Sequence, residues 1–495
     1  MKMRNGVAAD TSQVEVRSYS AFYEQLVSLL GNGSHHCLSY FAKPHGNRLL
    51  LFAFVALDES GEIEALASEV DRDAALPSMT AERAELHVFE RDIHEAYGVN
   101  FVGHPWLKPL RFPADRKAGG GIYDYPFFDI ESEEFHRVGV GPIHAGIIEP
   151  GHFRFICEGE NIHHLEIQLG WQHRGVENLM LQRRKLLQRA TLAENIAGDS
   201  VVAHSCAFAL AWEALAGVGV PEALTLDRTI ALEQERIAVH TGDLSAICTD
   251  IAYQLGSAVF GRLRTPMINF FQKWCGNRFA KSLIRPGYSN FPLTDKLADE
   301  WREAIEAFLP HFREMAEKMF DLPSVLSRLE RTGVVSAETA VRLGLVGMPA
   351  KASGVPRDVR SSHPSLAYPL LAVEPVVRQS GDVYARAHVR YEEVLQSVDN
   401  VKTLIETRSG ESRGKKDEAA QLMGGKTVVS LVEGWRGVVC HVVQTDEAGD
   451  IDAYKIVDPS VHNWMGLAMA VRNNGISDFP ICNKSFDLSY CGHDL

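Results

Sequence analysis

Phe89-Glu90-Arg91-Asp92-Ile93-His94-Glu95-Ala96-Tyr97-Gly98-Val99 runs on through Gly103-His104-Pro105 to Leu110-Arg111-Phe112-Pro113-Ala114-Asp115. By residue chemistry alone this is a polar helix start, a glycine terminator and a proline-rich turn, all structural features. Toward the N terminus, Phe22, Leu26, Leu29 and Leu30 form an amphipathic face, while Leu49 to Leu57 and Glu85 to Phe89 read as strand-like runs. This pattern predicts a small α+β domain. Toward the C terminus, the Ala-Gly-Gly-Gly tract at 118–121 and the acidic stretch 129–134 place a linker between 117 and 138. The expected domains are 1–125 and 138–495.

The totals agree with two domains. A chain of 495 residues with 45% hydrophobic content exceeds what one core usually holds, about 250–300 residues. A net charge of −14, from 50 basic against 64 acidic residues, excludes generic nucleic-acid binding, which needs clustered cations. The eight cysteines (37, 157, 206, 248, 275, 440, 482 and 491) show no Cys-x-x-Cys spacing, which argues against a zinc ribbon or a self-contained iron-sulfur site. The start of the chain lacks a secretory signal pattern, so the mature chain is expected to begin near Met1. The stretch 201–220 is the nearest approach to a membrane span, but it contains His204 and Glu213 and reads as a helix buried in protein.

From His163 onward helical patterns dominate. Trp301, Ile305, Phe308, Phe312, Met315 and Met319 recur every three or four residues, one buried stripe, with a kink expected at Pro310. Arg408 to Glu418 reads as a solvated loop, and Lys426 to Val457 as a few short strands. Three further clusters carry chemistry. They are Gly141-Pro142-Ile143-His144 with Glu149-Pro150-Gly151-His152-Phe153-Arg154-Phe155, His173-Arg174-Gly175-Val176-Glu177, and Glu233, Glu235, Arg236 and His240. Positions 233, 236 and 240 share a helical face, with Ile237, Leu244 and Ile251 as an apolar seam. A buried ion-pair network explains the 173–177 cluster as readily as a catalytic site, and a plain solvated or interdomain face is the alternative for 233, 236 and 240.

In order and spacing, the 89–115 cluster resembles the 30-kDa subunit of respiratory complex I. The later clusters, with Arg360-Ser361-Ser362-His363-Pro364 and Glu433-Gly434-Trp435-Arg436-Gly437, resemble the large subunit of energy-converting nickel-iron hydrogenases of the formate hydrogenlyase and hydrogenase-4 type, and more distantly the 49-kDa subunit of complex I. The resemblance implies a fused chain of α+β class, a small α+β domain followed by a larger, mainly α domain with small β elements. It implies that Glu149 matches a proton-passing glutamate and that Arg436 matches an arginine beside the iron ligands, although Arg436 could equally pair with a buried carboxylate.

One part of the family pattern is broken. A nickel-iron centre needs four thiolates. Aligned on Ala203-His204-Ser205, the early pair falls on Ala197 and Ser200 of Ala197-Gly198-Asp199-Ser200; aligned on Asp487, the late pair falls on Ser489 and Gly492. Cys206 and Cys491 lie nearby but out of register. The family's C-terminal extension, removed after nickel insertion, has no counterpart beyond Leu495. Complex I lost the same cysteines and binds a quinone in the emptied cavity, but its histidine falls here on Pro150, two positions from His152, and its tyrosine falls near Gly198.

The resemblance therefore implies an electron-transfer subunit of a complex I-like, NADH dehydrogenase-related oxidoreductase with no metal held by its own cysteines. A small iron-sulfur partner would feed a cavity between Glu149, His173, the 197–200 loop and the segment from Asp487 to Asp494, with His152, Arg436, Asp487 and Ser489 as further candidate site residues. Protons would pass through Glu149, Arg174, Glu177, Glu233 and Arg236. A quinone is the expected acceptor, antiporter-like membrane subunits the expected partners, and the cytoplasmic face of the membrane the expected location. An assembly scaffold and an active hydrogenase are the alternatives.

Overall fold

A computed structural model describes residues 1–117, 119–417 and 420–495. Ala118 of the expected linker and Glu418 of the expected loop lie outside the described residues. The fold class is α+β, as expected. In the N-terminal part, strands His35–His45, Arg48–Leu57 and Glu62–Asp71 form an antiparallel meander, extended by Lys2–Met3 and, in parallel, by Val16–Arg17. Helix Tyr19–Leu29 begins on a Ser18 cap and buries Phe22 and Leu26. The expected strand at Glu85 to Phe89 is instead the 3-10 turn Ala84–Leu86 leading into helix His87–Tyr97. Leu86, Phe89 and Ile93 are all buried, and their three- and four-residue spacing is helical. Gly98, at φ 79°, closes this helix and donates to the His94 carbonyl.

The opening motif holds this helix to its surroundings. The Glu90 carboxylate accepts from the Met79 amide at 2.8 Å and the Thr80 hydroxyl at 2.7 Å. Glu95 accepts from the amides of Arg111 and Phe112 at 2.7 and 3.0 Å, and the Arg91 guanidinium donates to the Lys108 and Pro109 carbonyls. The Glu95 and Arg91 contacts fold the 108–112 stretch back onto the helix.

The larger part begins with a three-stranded sheet, His136–Val140, His152–Glu158 and Asn161–Gln168, so His163 lies in a strand and helices take over only from Val176–Gln182. Helix Glu222–Asp250 packs between Gln254–Cys275 and Val383–Thr407, and Asp295–Asp321 buries the expected stripe while continuing through Pro310. The expected terminal strands are Lys426–Gly434, Gly437–Thr445 and Ile451–Val457, and Ala9–Asp10 joins their edge. Helix Val201–Ala216 lies across the first two strands of this sheet and is buried along nearly its whole length. Among the described residues no helix is long and apolar enough to cross a membrane. One hydrophobic cluster runs from Phe41 and Phe54 into Leu431, Cys440 and Val457, so the N- and C-terminal sheets share a core.

Candidate functional site

Arg436 organises the site. It sits in the two-residue turn between strands 426–434 and 437–445, where Gly434 pairs with Gly437. A β-carbon on Gly347 would lie 2.1 Å from the Arg436 carbonyl, so this approach requires glycine. The guanidinium grips the Asp199 carboxylate in a two-pronged pair at 2.6 and 2.8 Å, reaches the Ser200 hydroxyl at 3.3 Å, donates to the Asp487 carbonyl, and lies over the Trp435 ring. Three segments far apart in sequence, 197–200, 435–436 and 487–489, are thereby joined.

All four positions aligned with metal ligands lie at this junction. Ala197 and Ser200 precede helix Val201–Ala216, with Gly198 exposed between them. Ser489 caps helix Tyr490–Asp494 by accepting from the Gly492 amide at 2.9 Å, and its own amide donates to the Ser460 hydroxyl at 2.8 Å. A β-carbon on Gly492 would lie 2.6 Å from the Asp458 carboxylate. The four positions thus carry two hydroxyls, a methyl and a bare backbone, and no sulfur. Neither neighbouring cysteine changes this: burial pushes the Cys206 thiol up to about 12, and burial together with Glu149 does the same at Cys491. Soft-metal ligation needs thiolates, so a nickel-iron centre does not fit these residues. Gly492→Cys is expected to cost about 1–3 kcal/mol through overpacking. Chemical denaturation measures this, and a variant as stable as the parent would count against the tight contact with Asp458.

Glu149 and Arg174 reach the same place. The Glu149 carboxylate accepts from the Tyr490 and Cys491 amides at 3.2 and 3.3 Å, at the start of the C-terminal helix. Arg174 donates to the Ile196 and Cys491 carbonyls, both at 2.9 Å, tying the 197–200 loop to that helix. His173 binds the Asp494 carbonyl at 2.7 Å, and the Asp494 carboxylate accepts from the Gly170 and Gln172 amides. Two candidates face elsewhere. His152 bonds the Gly141 carbonyl at 3.1 Å and packs on Phe127. Glu177 pairs with Lys455 at 2.6 Å, and Lys455 continues to Asp92 and Arg111 on the wall of a cavity of about 210 Å³.

Behind Arg436 lies a buried ion network. Glu233, Arg236 and His240 are all within it, so this face is buried and ion-paired and not plainly solvated. Arg236 donates to the Glu433 and Gly434 carbonyls at 2.9 and 3.1 Å, holding the strand that carries Arg436. Glu233 accepts from Tyr368 at 2.6 Å and lies 3.4 Å from Arg360, which pairs with Asp358 at 2.7 Å. Glu393 joins Arg236 at 3.4 Å, His240 at 2.8 Å, and Lys351. Three full cations, Arg236, Lys351 and Arg360, face four carboxylates. Burial and the Asp358 charge accordingly push Glu433 up to about 7, and burial drives His240 down to about 4. One turn further, burial and Asp487 raise Asp243 to about 7, while Lys484 and Arg436 keep Asp487 low against its own burial. Lys351 and Glu393 escaped sequence reasoning because each is a lone charge outside the motifs, and Asp358 because it stands two residues before the 360–364 motif.

Comparisons with known proteins agree with this architecture. Residues 21–120 match the family model of the 30 Kd subunit of respiratory-chain NADH dehydrogenase, and residues 252–426 match that of the 49 Kd subunit. Formate hydrogenlyase subunit 5 of Escherichia coli is 27% identical over 81% of this chain and 74% of its own length. An NADH-quinone oxidoreductase subunit of Thermosipho melanesiensis is 31% identical over 70% of this chain and 96% of its own. A chain of the archaeal membrane-bound sulfane sulfur reductase shares the fold, with a TM-score of 0.68 at 22% identity, covering 74% of this chain and all of that one. The chain belongs to the 49-kDa subunit family of respiratory-chain NADH dehydrogenase, a family of oxidoreductase-complex subunits, and carries a 30-kDa-type domain in the same polypeptide.

Proposed function

We propose that this chain forms the acceptor site of a membrane-bound oxidoreductase complex and reduces a quinone-like molecule at the junction of 197–200, Arg436 and 487–492. A 30-kDa-like unit at 1–125 would dock the complex, and the 138–495 unit would carry the site. The observation that carries the reading is the donor set: the Ser200 and Ser489 hydroxyls and the Arg436 guanidinium suit an oxygen-bearing acceptor, while the nearby Cys206 and Cys491 thiols are held protonated by burial. Two electrons from a small iron-sulfur partner and two protons convert a quinone to a quinol. Glu149 supplies protons at the site, and the network of Glu233, Arg236 and Glu433 responds to the charge arriving there. Antiporter-like membrane subunits would use that response to move ions, with the chain on the cytoplasmic face. The relatives named for NADH-quinone oxidoreductase, formate hydrogenlyase and a respiratory membrane complex support this reading.

Glu149→Gln keeps both helix-capping acceptor contacts within reach but cannot carry a proton. Coupled turnover of the purified complex is expected to fall about 100-fold, the scale of a lost general acid, and unchanged turnover would remove Glu149 from the mechanism. One observation favours a scaffold instead: Asp199, Arg436, Glu149 and Arg174 all find partners within the chain. On that reading, substitutions around the site leave electron transfer intact, whereas deleting the N-terminal domain abolishes assembly.

A further inference from the structure

We propose that Tyr454, His441, His204 and Asp458 form a proton relay from the cavity between the N- and C-terminal sheets to the inner wall of the acceptor site. This inference rests on the reading given under Proposed function and adds a second proton path, independent of Glu149. The Tyr454 hydroxyl lies 2.9 Å from His441 Nδ1, His441 Nε2 lies 3.2 Å from His204 Nδ1, and His204 Nε2 lies 3.1 Å from Asp458 Oδ2. Four titratable groups thus stand in an unbroken line. His204, His441 and Asp458 are wholly buried, and Tyr454 is 3% exposed.

The two ends of the line lie in different places. Tyr454 lines the cavity of about 210 Å³ together with Lys43, Asp92, Arg111, His173 and Glu177. Asp458 abuts Gly492 and feels the Arg436 charge, and its other oxygen accepts from the Ser460 amide at 2.8 Å. The charged groups facing the line are Arg189 at the tyrosine end and Arg436 at the aspartate end.

The bonding pattern closes without a gap. Tyr454 donates to His441 Nδ1, His441 Nε2–H donates to His204 Nδ1, and His204 Nε2–H donates to Asp458. When the proton on His204 Nε2 passes to Asp458, His204 Nδ1 takes one from His441, His441 Nδ1 takes one from Tyr454, and the phenol is refilled from water in the cavity. The net change is one proton moved from cavity to Asp458, with no electron transferred. Release from Asp458 to the reduced acceptor leaves both rings in the opposite tautomer, and each turnover includes their return. Burial and the neighbouring His204 hold His441 well below its usual range, so its neutral form, able to donate and accept, is the resting one. Burial raises Asp458, but His204 and Arg436 outweigh it and keep the carboxylate ionised, ready to accept. A merely structural role for the Tyr454, His441 and His204 rings is the competing account.

The test uses the intact complex with titanium(III) citrate as donor and menadione as acceptor, comparing H2O with D2O. Tyr454→Phe keeps the ring and loses the entry hydroxyl; His441→Gln keeps a donor and an acceptor but cannot shuttle a proton. Each is expected to lower kcat about tenfold, less than the roughly 100-fold of a lost general acid because the Glu149 path remains, to raise the solvent isotope ratio, and to leave KM and the melting temperature nearly unchanged. Variants that turn over at the parent rate with the parent isotope ratio, or that lose stability without a change in isotope ratio, overturn the relay. A parent complex that does not reduce menadione overturns the acceptor reading, and the relay with it.

Discussion

Lys351→Met is expected to lower the free energy of unfolding by about 3–5 kcal/mol, the scale seen when one partner of a buried ion cluster is removed. The ammonium is 1% exposed and touches Asp358 at 3.2 Å, Glu433 at 3.6 Å, and Glu393. Burial alone would lower its pKa, yet these three carboxylates hold it above the ordinary lysine value. Methionine fills similar volume, so the loss reads charge rather than packing. It leaves two guanidiniums, Arg236 and Arg360, for four carboxylates. The sign of the pH dependence follows. Lysine titration matters only above about pH 10, so between pH 5 and 8 the slope comes from the carboxylates. Their folded-state pKa values rise when the cation goes, the folded state then binds more protons than the unfolded one, and stability falls as pH rises. The deficit is therefore expected to be larger at pH 8 than at pH 5. Denaturation curves at the two pH values test this, and equal deficits would show that the ammonium does not balance the cluster.

The network also marks where sequence reading stops. The stripe from Trp301 to Met319 was legible because six large apolar residues repeat at helical spacing, and burial against neighbouring helices is the only way to satisfy such a face. The face of Glu233, Arg236 and His240 was legible for the same reason, since one helix carries all three. What those groups meet was not legible. Arg236 meets Glu393, and Arg436 meets Asp199, across 157 and 237 positions, and no local period records such distances. Lys351 and Glu393 look like ordinary surface charges until the helices close around them. The edge strand Ala9–Asp10 is too short for any alternation to show. His204 and His441 sit in apolar stretches where a lone histidine reads as core, and their contact appears only when helix 201–216 crosses the sheet. The substitutions at Ala197, Ser200, Ser489 and Gly492 told what chemistry had gone. Only the fold showed that Arg436 joins Asp199 to the Asp487 carbonyl at those positions and that Asp458 lies against Gly492.

Glu235→Gln is expected to reverse the order of stability between variant and parent as pH rises. Glu235 lies beneath the first turn of helix Val201–Ala216, and its two oxygens accept from the Val202 amide at 2.8 Å and the Ala203 amide at 3.4 Å. A carboxylate at a helix N terminus is ordinarily stabilised. Here burial dominates, the Asp199 charge adds to it, the two amides oppose it, and the carboxyl is pushed up to about 8. Glu235 is therefore a neutral acid at pH 7. Its ordinary value is near 4.3, so from there to about 8 the folded state keeps a proton that the unfolded state loses. Stability then falls by about 1.4 kcal/mol per pH unit, some 4–5 kcal/mol across the window. Glutamine imitates the neutral acid but offers one acceptor oxygen for two amides, a loss of about 1 kcal/mol. At pH 4 the variant is thus weaker than the parent by just under about 1 kcal/mol, near pH 5 the two are equal, and at pH 8.5 the variant is stronger by about 4 kcal/mol. Denaturation midpoints measured across that range should cross once. Parallel curves would mean that Glu235 is ionised in the fold, a second negative charge near Asp199 with Arg236 and Arg436 to balance the two.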